Sequence, residues 1–215
     1  MSGQRRRAIC TLAAITGLGL STLACGDSGS ESASREPFRT FSVDYDMVQY
    51  PSVAAQLKMA PIVVDGSFDS LAEGESMVET ADDVVMKDQT AVAKIRVREV
   101  LSGALGGDGD FVFVQIPMNP TDKYDDLRGS FPVGKRVVAA LAPAPDNRGQ
   151  AGIAYEDRGA GLDEGAELYL PVPQGYFFED IDGSVAAPYG GMSKGEPIAF
   201  TSLDEAAEAY RTAGL

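Results

Sequence analysis

The sequence has 215 residues and no histidine, and its 32 acidic and 18 basic side chains give it a net charge of −14. This negative field repels phosphate groups, which excludes nucleic acid and anionic lipid surfaces as natural electrostatic partners. The lack of histidine excludes catalytic triads that use an imidazole base, and it leaves carboxylates as the candidate metal ligands.

The first 24 residues have the organisation of a secretory signal peptide. Three arginines, Arg5 to Arg7, precede an uncharged and mostly apolar stretch, residues 8–24, which ends in small residues. This stretch is shorter than the roughly 20 residues that a mature membrane-spanning helix needs. Cleavage after it would change the net charge from −14 to −17, because three arginines are removed.

The residues before Cys25 resemble the bacterial lipobox. They read Ser21-Thr22-Leu23-Ala24-Cys25, with Thr22 where most members have leucine. The resemblance implies cleavage after Ala24 and a lipid anchor on Cys25 that holds the protein on the outer side of the cytoplasmic membrane. The other cysteine, Cys10, lies in the segment to be removed, so the mature chain cannot form an internal disulfide.

Two alternatives remain open for this N-terminal segment. An ordinary secretory signal would leave Cys25 as a free thiol. The three arginines are also compatible with export by either the general secretory or the twin-arginine route.

The stretch Gly26-Asp27-Ser28-Gly29 is similar to the nucleophile region of trypsin-like proteases. Ser28 lies in a run of small polar residues, and no histidine is present to activate it. We therefore interpret residues 25–37 as a flexible tether with a reach of about 20 Å. Residues 38–215 are predicted to form one domain.

Hydrophobic periodicity predicts short strands with a helix at each end. Residues 51–60 are predicted as a helix with Pro51 in its first turn, and the β-rich run 61–68 is predicted to end in a turn. Residues 91–101 are the clearest strand. Its alternation places Ile95 and Val97 on an inner face, and Arg96 and Arg98 on an outer face.

A glycine-rich connection, residues 102–109, leads to a second strand, residues 111–116. A strand follows this connection where phosphate binding would require a helix, so a hairpin is predicted. Residues 129–136 have the glycine and lysine spacing of a nucleotide-binding P-loop. Arg136 stands where a hydroxyl must bind magnesium, and residues 137–141 are predicted as a strand, so nucleotide binding is rejected.

The remaining chain combines a long loop, three apolar pieces and a helix. Residues 142–165 are predicted as the loop, and the apolar pieces are 168–170, 176–178 and 185–187. A capping box from Ser202 to Glu205 starts the final helix, whose buried face is predicted to carry Leu203, Ala206, Ala207 and Tyr210. Gly214 is predicted to end it.

This order of elements predicts a mainly β domain, a small closed or partly open antiparallel β-barrel with a short N-terminal and a C-terminal helix. Four stretches of the sequence resemble a group of actinobacterial exported proteins. They are "APIVVDGSF", "AVAKIRVREVLSGALGGDGDFVFVQIP", "FPVGKRVVAALAP" and "PQGYFFEDIDGSV". The resemblance covers about residues 51–213. It implies an oligonucleotide/oligosaccharide-binding (OB) or netrin-like barrel and no particular activity.

No cofactor is predicted from the chemistry of the side chains. Three acidic clusters do not have the alternating spacing of a calcium loop. They are Asp122 with Asp125 and Asp126, Asp108 with Asp110, and Glu179 with Asp180 and Asp182. We interpret these clusters as solvated turns. Tyr169 and Tyr176 are predicted to pack in the core.

Two functions remain compatible with the sequence. The favoured hypothesis is a non-enzymatic envelope lipoprotein that binds a protein or a glycan. Its contacts are predicted in the loops 117–131 and 142–165, with Tyr124 and Tyr155 as anchors. The alternative is an extracytoplasmic hydrolase that uses two carboxylates about 5 to 9.5 Å apart in one cleft.

Overall fold

The computed structural model describes residues 50–81, 84–106, 109–118, 121–145, 153–180, 182–187 and 198–214. These residues belong to one compact unit. The predicted signal peptide, Cys25 and the tether to residue 37 lie outside the described residues. Within the described part, no helix is both long and apolar enough to cross a lipid bilayer.

Strands dominate the described part of the chain. In chain order the elements are α1 (Val53–Leu57), β1 (Ile62–Ala81), β2 (Val84–Ser102), β3 (Phe111–Pro117), α2 (Tyr124–Ser130), β4 (Arg136–Pro143), β5 (Ile153–Glu156), β6 (Leu168–Glu179), β7 (Val185–Ala186) and α3 (Leu203–Ala213).

Five strands close into a ring. The order is β2, β3, β6, β4 and β1, and β1 pairs again with β2, while β5 attaches to β1 and β7 to β6. The strands β3 and β6 are parallel, whereas the other neighbours in the ring are antiparallel. The prediction of a wholly antiparallel sheet is wrong at this pair, because strand direction cannot alternate all the way around a ring with an odd number of strands.

Two hydrophobic cores lie on the two faces of the ring strands. All five strands contribute to the larger core, whose fully buried members include Val64, Ile95, Val114, Leu141 and Phe178. The smaller core lies under α1 and α3, and it includes the four α3 residues predicted for the buried face of that helix, Leu203, Ala206, Ala207 and Tyr210. That prediction is therefore confirmed, as is the burial of Tyr169 and Tyr176.

The strand β4 separates the two cores. Val137, Ala139 and Leu141 enter the larger core, and Val138 and Ala140 enter the smaller one. All five side chains are completely buried. This burial on both faces explains why residues 137–141 form a continuous apolar run rather than an alternating one.

Both terminal helices are present, and their N-terminal caps agree only in part with those predicted. Ser52 is the N-cap of α1 and accepts a 3.2 Å hydrogen bond from the Ala55 N–H, so Pro51 precedes the helix instead of opening it. At α3, the Ser202 hydroxyl accepts from the Glu205 N–H at 3.1 Å as predicted. The Glu205 carboxylate bonds to the N–H and hydroxyl of Thr201, one residue earlier than in a capping box.

Several predicted boundaries are wrong because tertiary pairing continues through turn-forming residues. β1 runs 20 residues, past the turn expected near residue 66. The pieces 168–170 and 176–178 are parts of one strand, β6. The prolines of β6 lie where its register with β4 shifts. The strand ladder tolerates the missing backbone N–H of a proline at such a place. The loops 117–131 and 142–165 contain α2 and β5.

A β-bulge brings a buried ion pair together. Asp65 pairs with Glu99 and Gly66 with Val97, so Arg98 is an extra residue in β2 opposite this step. The Asp65 carboxylate is completely buried and bonds to Arg98 and to Arg136, whose Nη2 is 2.8 Å from Asp65 Oδ2. Arg136 also binds Asp204 at the start of α3, and these acidic partners raise the pKa of its guanidinium.

Candidate functional site

A cleft of about 410 Å³ opens beside β5, and we call it the tyrosine cleft. Its lining combines apolar side chains with Tyr155 and Arg158. The lining residues are Glu75, Pro143, Ala144, Pro145, Tyr155, Arg158, Gly159, Leu162, Ala166, Glu167 and Leu168. Its size falls within the usual range of ligand pockets, and it combines apolar surface with a few polar groups as such pockets do.

A second bulge places Glu75 in the tyrosine cleft. Between the pairs Glu73 with Ala91 and Ser76 with Gln89, β1 has one residue more than β2. The extra residue turns the local backbone, and the Thr90 hydroxyl donates a 2.6 Å hydrogen bond to the Glu75 carbonyl. The bulge thus places Glu75, which is half-buried, in the lining of the cleft.

Tyr155 lies in β5 opposite Met77 of β1, and its side chain is half-buried. The guanidinium carbon of Arg158 stands over its ring, 6.0 Å from the ring centre, which is within reach of a cation–π contact. The predicted partner residue therefore lies in a formed cleft with a cationic neighbour.

The segment 157–168, which follows β5, forms one wall of the tyrosine cleft and is held against the sheet. Lys94 binds Asp163 with a 2.7 Å ion pair. Gly161 crosses so closely over β1 and β2 that a Cβ atom there would lie 2.8 Å from the Glu73 carbonyl oxygen. Val92 is buried beneath the segment, although alternation places it on the predicted outer face of β2 together with Arg96. The wall is thus fixed before any ligand arrives, which lowers the entropy cost of binding.

The substitution Gly161→Ala should destabilise the protein by about 2 kcal/mol, since a positive φ strains alanine and the new methyl group would collide with backbone. This corresponds to a fall in melting temperature of about 4 to 8 °C for a domain of this size. Gly159→Ala is the matched control, because Gly159 also has a positive φ, +73°, but open space around the missing Cβ. Equal shifts in thermal unfolding of the two variants would contradict the close contact.

A second cleft, of about 520 Å³, lies on the other side of residues 163–167, and we call it the phenylalanine cleft. Phe111, Phe113 and Tyr169 contribute its aromatic surface. The ammonium group of Lys94 lies 4.4 Å from the Phe111 ring centre, and the Tyr169 hydroxyl donates to Glu167 at 2.7 Å. Burial and this hydrogen bond raise the pKa of Tyr169 to about 12.

Tyr124, the other predicted partner contact, opens the helix α2. Its hydroxyl donates a 2.8 Å hydrogen bond to the Leu71 carbonyl, and its ring packs against the larger core. Burial raises the pKa of this hydroxyl. The contact with a partner stays a prediction, but Tyr124 also fastens α2 to β1. It does not line the depression beside α2, which is formed by residues that include Arg128, Phe131 and Val133.

The acidic clusters that the sequence singled out are separated in the fold. Asp125 and Asp126 lie in the first turn of α2, Glu179 pairs with Lys135 at 2.7 Å, and Asp182 accepts from Ser184 in a tight turn. Asp110 lines the phenylalanine cleft, and Asp108 lies outside the described residues. In the described ranges, no three acidic or cysteine side chains are placed to hold a metal ion.

Sequence reasoning missed Glu75, Glu167 and the apolar lining of the tyrosine cleft. The short motif Glu73-Gly74-Glu75 was the available signal for Glu75, since glycine inside a strand often marks a bulge.

No protein-family model matches the sequence, and no curated protein matches it.

Proposed function

We propose that this chain is a non-enzymatic lipoprotein that is anchored outside the cytoplasmic membrane and binds a partner through the tyrosine cleft. Residues 1–24 would be the signal peptide, lipidated Cys25 the anchor, 25–37 the tether and 38–215 the binding domain. The carrying observation is the cleft itself, whose lining combines apolar side chains with Tyr155 and Arg158. The lipobox resemblance supports the location.

The ring of five strands supports a finer statement about the fold. We propose that it is a small barrel of the OB or netrin-like kind, with α1 and α3 packed on one side. In such a scaffold, recognition falls to the segments outside the ring, because the ring strands are committed to the cores. The tyrosine cleft is built largely from such segments, β5 and residues 157–168.

The binding function can be tested by photo-crosslinking in intact cells. A full chain that carries the substitution Tyr155→p-benzoylphenylalanine should form a discrete adduct with an envelope protein or glycan. The control is Glu208→p-benzoylphenylalanine on α3, because Glu208 is exposed and does not line the cleft. Identical adducts from the two positions, or none from either, would contradict the proposed site.

Once the adduct is identified, Tyr155→Ala should weaken binding at least about fivefold, the ratio that corresponds to 1 kcal/mol. Its melting temperature should stay nearly unchanged, because Tyr155 belongs to neither hydrophobic core. Tyr124→Ala cannot make the same distinction, since it also removes the hydrogen bond to Leu71.

One observation favours the alternative, a carboxylate-dependent hydrolase. Glu75 and Glu167 line the same cleft. A hydrolase of this kind needs both carboxylates to face one substrate, whereas the Glu167 carboxylate accepts a hydrogen bond from Tyr169, which lines the phenylalanine cleft. Release of product from an envelope polysaccharide, lost in Glu75→Gln, would establish the hydrolase and remove the non-enzymatic proposal.

A further inference from the structure

We propose that the tyrosine cleft recognises an extended peptide segment of a protein partner that carries at least one lysine or arginine. This inference rests on the proposed binding function and narrows its ligand to one chemical class. It is supported by the charge around the cleft, by the apolar residues of its lining and by the Arg158 guanidinium that stands over the Tyr155 ring.

The surface around the cleft is acidic, and we call it the acidic rim. Of the acidic residues in the segment 153–168, only Glu167 lines the tyrosine cleft itself, whereas Asp163 and Glu164 line the phenylalanine cleft. Residues 153–168 include five acidic side chains, Glu156, Asp157, Asp163, Glu164 and Glu167, and one basic side chain, Arg158. Two lysines from β2 compensate part of this charge, since Lys87 pairs with Glu156 at 2.6 Å and Lys94 with Asp163. Glu75 adds a further carboxylate from β1. A cationic side chain would therefore enter an attractive field, which the net charge of the whole chain reinforces at long range.

The apolar part of the cleft lining suits the apolar parts of a peptide. It includes Pro143, Pro145, Leu162 and Leu168, and Ala144 is fastened by a hydrogen bond from its N–H to the Leu168 carbonyl at 2.8 Å. Rigid proline and leucine surface contacts aliphatic or proline side chains at little entropy cost. Carboxylates at the acidic rim and an apolar lining together match a segment in which basic and apolar residues are close neighbours.

Glycans fit this cleft less well. The acidic rim repels sugars that carry phosphate or carboxylate groups. Neutral sugars are usually held against an open aromatic face, whereas Tyr155, the aromatic residue of the cleft lining, has the Arg158 guanidinium over its ring. The peptide is therefore the occupant that the charge and the surface both favour.

The test is a selection from a random hexapeptide library with the full lipidated chain in detergent micelles. Lysine and arginine should be enriched at one position or more by at least about fivefold over the input, which corresponds to 1 kcal/mol. The affinity of the selected peptides should fall as salt is raised. Absence of this enrichment, or enrichment of acidic residues, would overturn the inference.

Two substitutions assign the effect to the cleft. Glu75→Gln and Glu167→Gln should each weaken a selected basic peptide at least about threefold, while Glu208→Gln on α3, which removes the same charge elsewhere, should have less effect than either. Thermal unfolding of each variant checks that it folds. Equal effects of all three variants would show general electrostatic attraction and overturn the cleft assignment.

A final comparison separates this inference from the binding function on which it rests. If neutral or acidic oligosaccharides bind and Tyr155→Ala weakens that binding, the cleft is a binding site and the basic peptide assignment is wrong. If neither peptides nor oligosaccharides bind, and position 155 forms no specific crosslink in cells, both proposals fail.

Discussion

Replacement of Cys25 by alanine is expected to abolish lipid labelling and to release the chain from membranes. The thiol is the acceptor of the proposed diacylglycerol, and no other cysteine remains after cleavage at Ala24. Each buried methylene of an acyl chain contributes about 0.8 kcal/mol, so attachment through two chains is stable whereas its loss leaves only a tethered acidic domain. The measurement is incorporation of labelled palmitate and partition of the chain between membrane and soluble fractions.

Cys10→Ala is the matched control for this experiment. Cys10 lies inside the proposed signal peptide, so its replacement should leave both labelling and membrane partition unchanged. A wild-type chain that is recovered in the soluble fraction with an N-terminus beyond residue 25 would show that the lipobox interpretation is wrong.

Asp65→Asn is expected to cause a large loss of stability in the described domain. The carboxylate is completely buried between Arg98 and Arg136, and neutralising it removes the buried counter-charge of both cations, so that Arg136 keeps only its exposed partner Asp204. Breaking a buried ion pair in this way costs about 3 kcal/mol when, as here, the remaining charges can partly reach solvent. The melting temperature should fall by about 6 to 12 °C.

Asp204→Asn is the matched control, because it removes an exposed carboxylate from the same Arg136. The ion pair lowers the pKa of Asp204, but solvent screens this contact, so the melting temperature should change by no more than about 2 °C. Similar shifts for the two variants would show that burial of Asp65 does not dominate the network.

The elements that sequence predicted well are those with a strong local pattern. Alternation in residues 91–101 placed Ile95 in the larger core and Arg96 in solvent, as found. The serine cap and the buried face of α3 were also correct, because capping and helical spacing depend on residues within a few positions of each other. The hairpin between β2 and β3 followed from its glycine-rich connection.

The elements that sequence missed depend on contacts between distant residues. α2 has a single buried residue, Leu127, and therefore no detectable apolar periodicity. β5 pairs with a distant part of β1, since Tyr155 lies opposite Met77, which is 78 positions earlier. Its side chains alternate only between half-buried and exposed. Val92 is buried because the segment 157–168 covers it, which no property of its own strand indicates.

The sequence by itself determined a mainly β domain with a helix near each end, a strand order along the chain and a proposed lipid anchor. These follow from composition, short-range periodicity and a contiguous motif. Only the tertiary structure decided which strands close the ring, that Asp65 is buried between two arginines and that Glu75, Tyr155 and Glu167 line one cleft. The reason is that bulges, strand pairing and cleft walls bring together residues far apart in the chain, and their energies are absent from any local stretch.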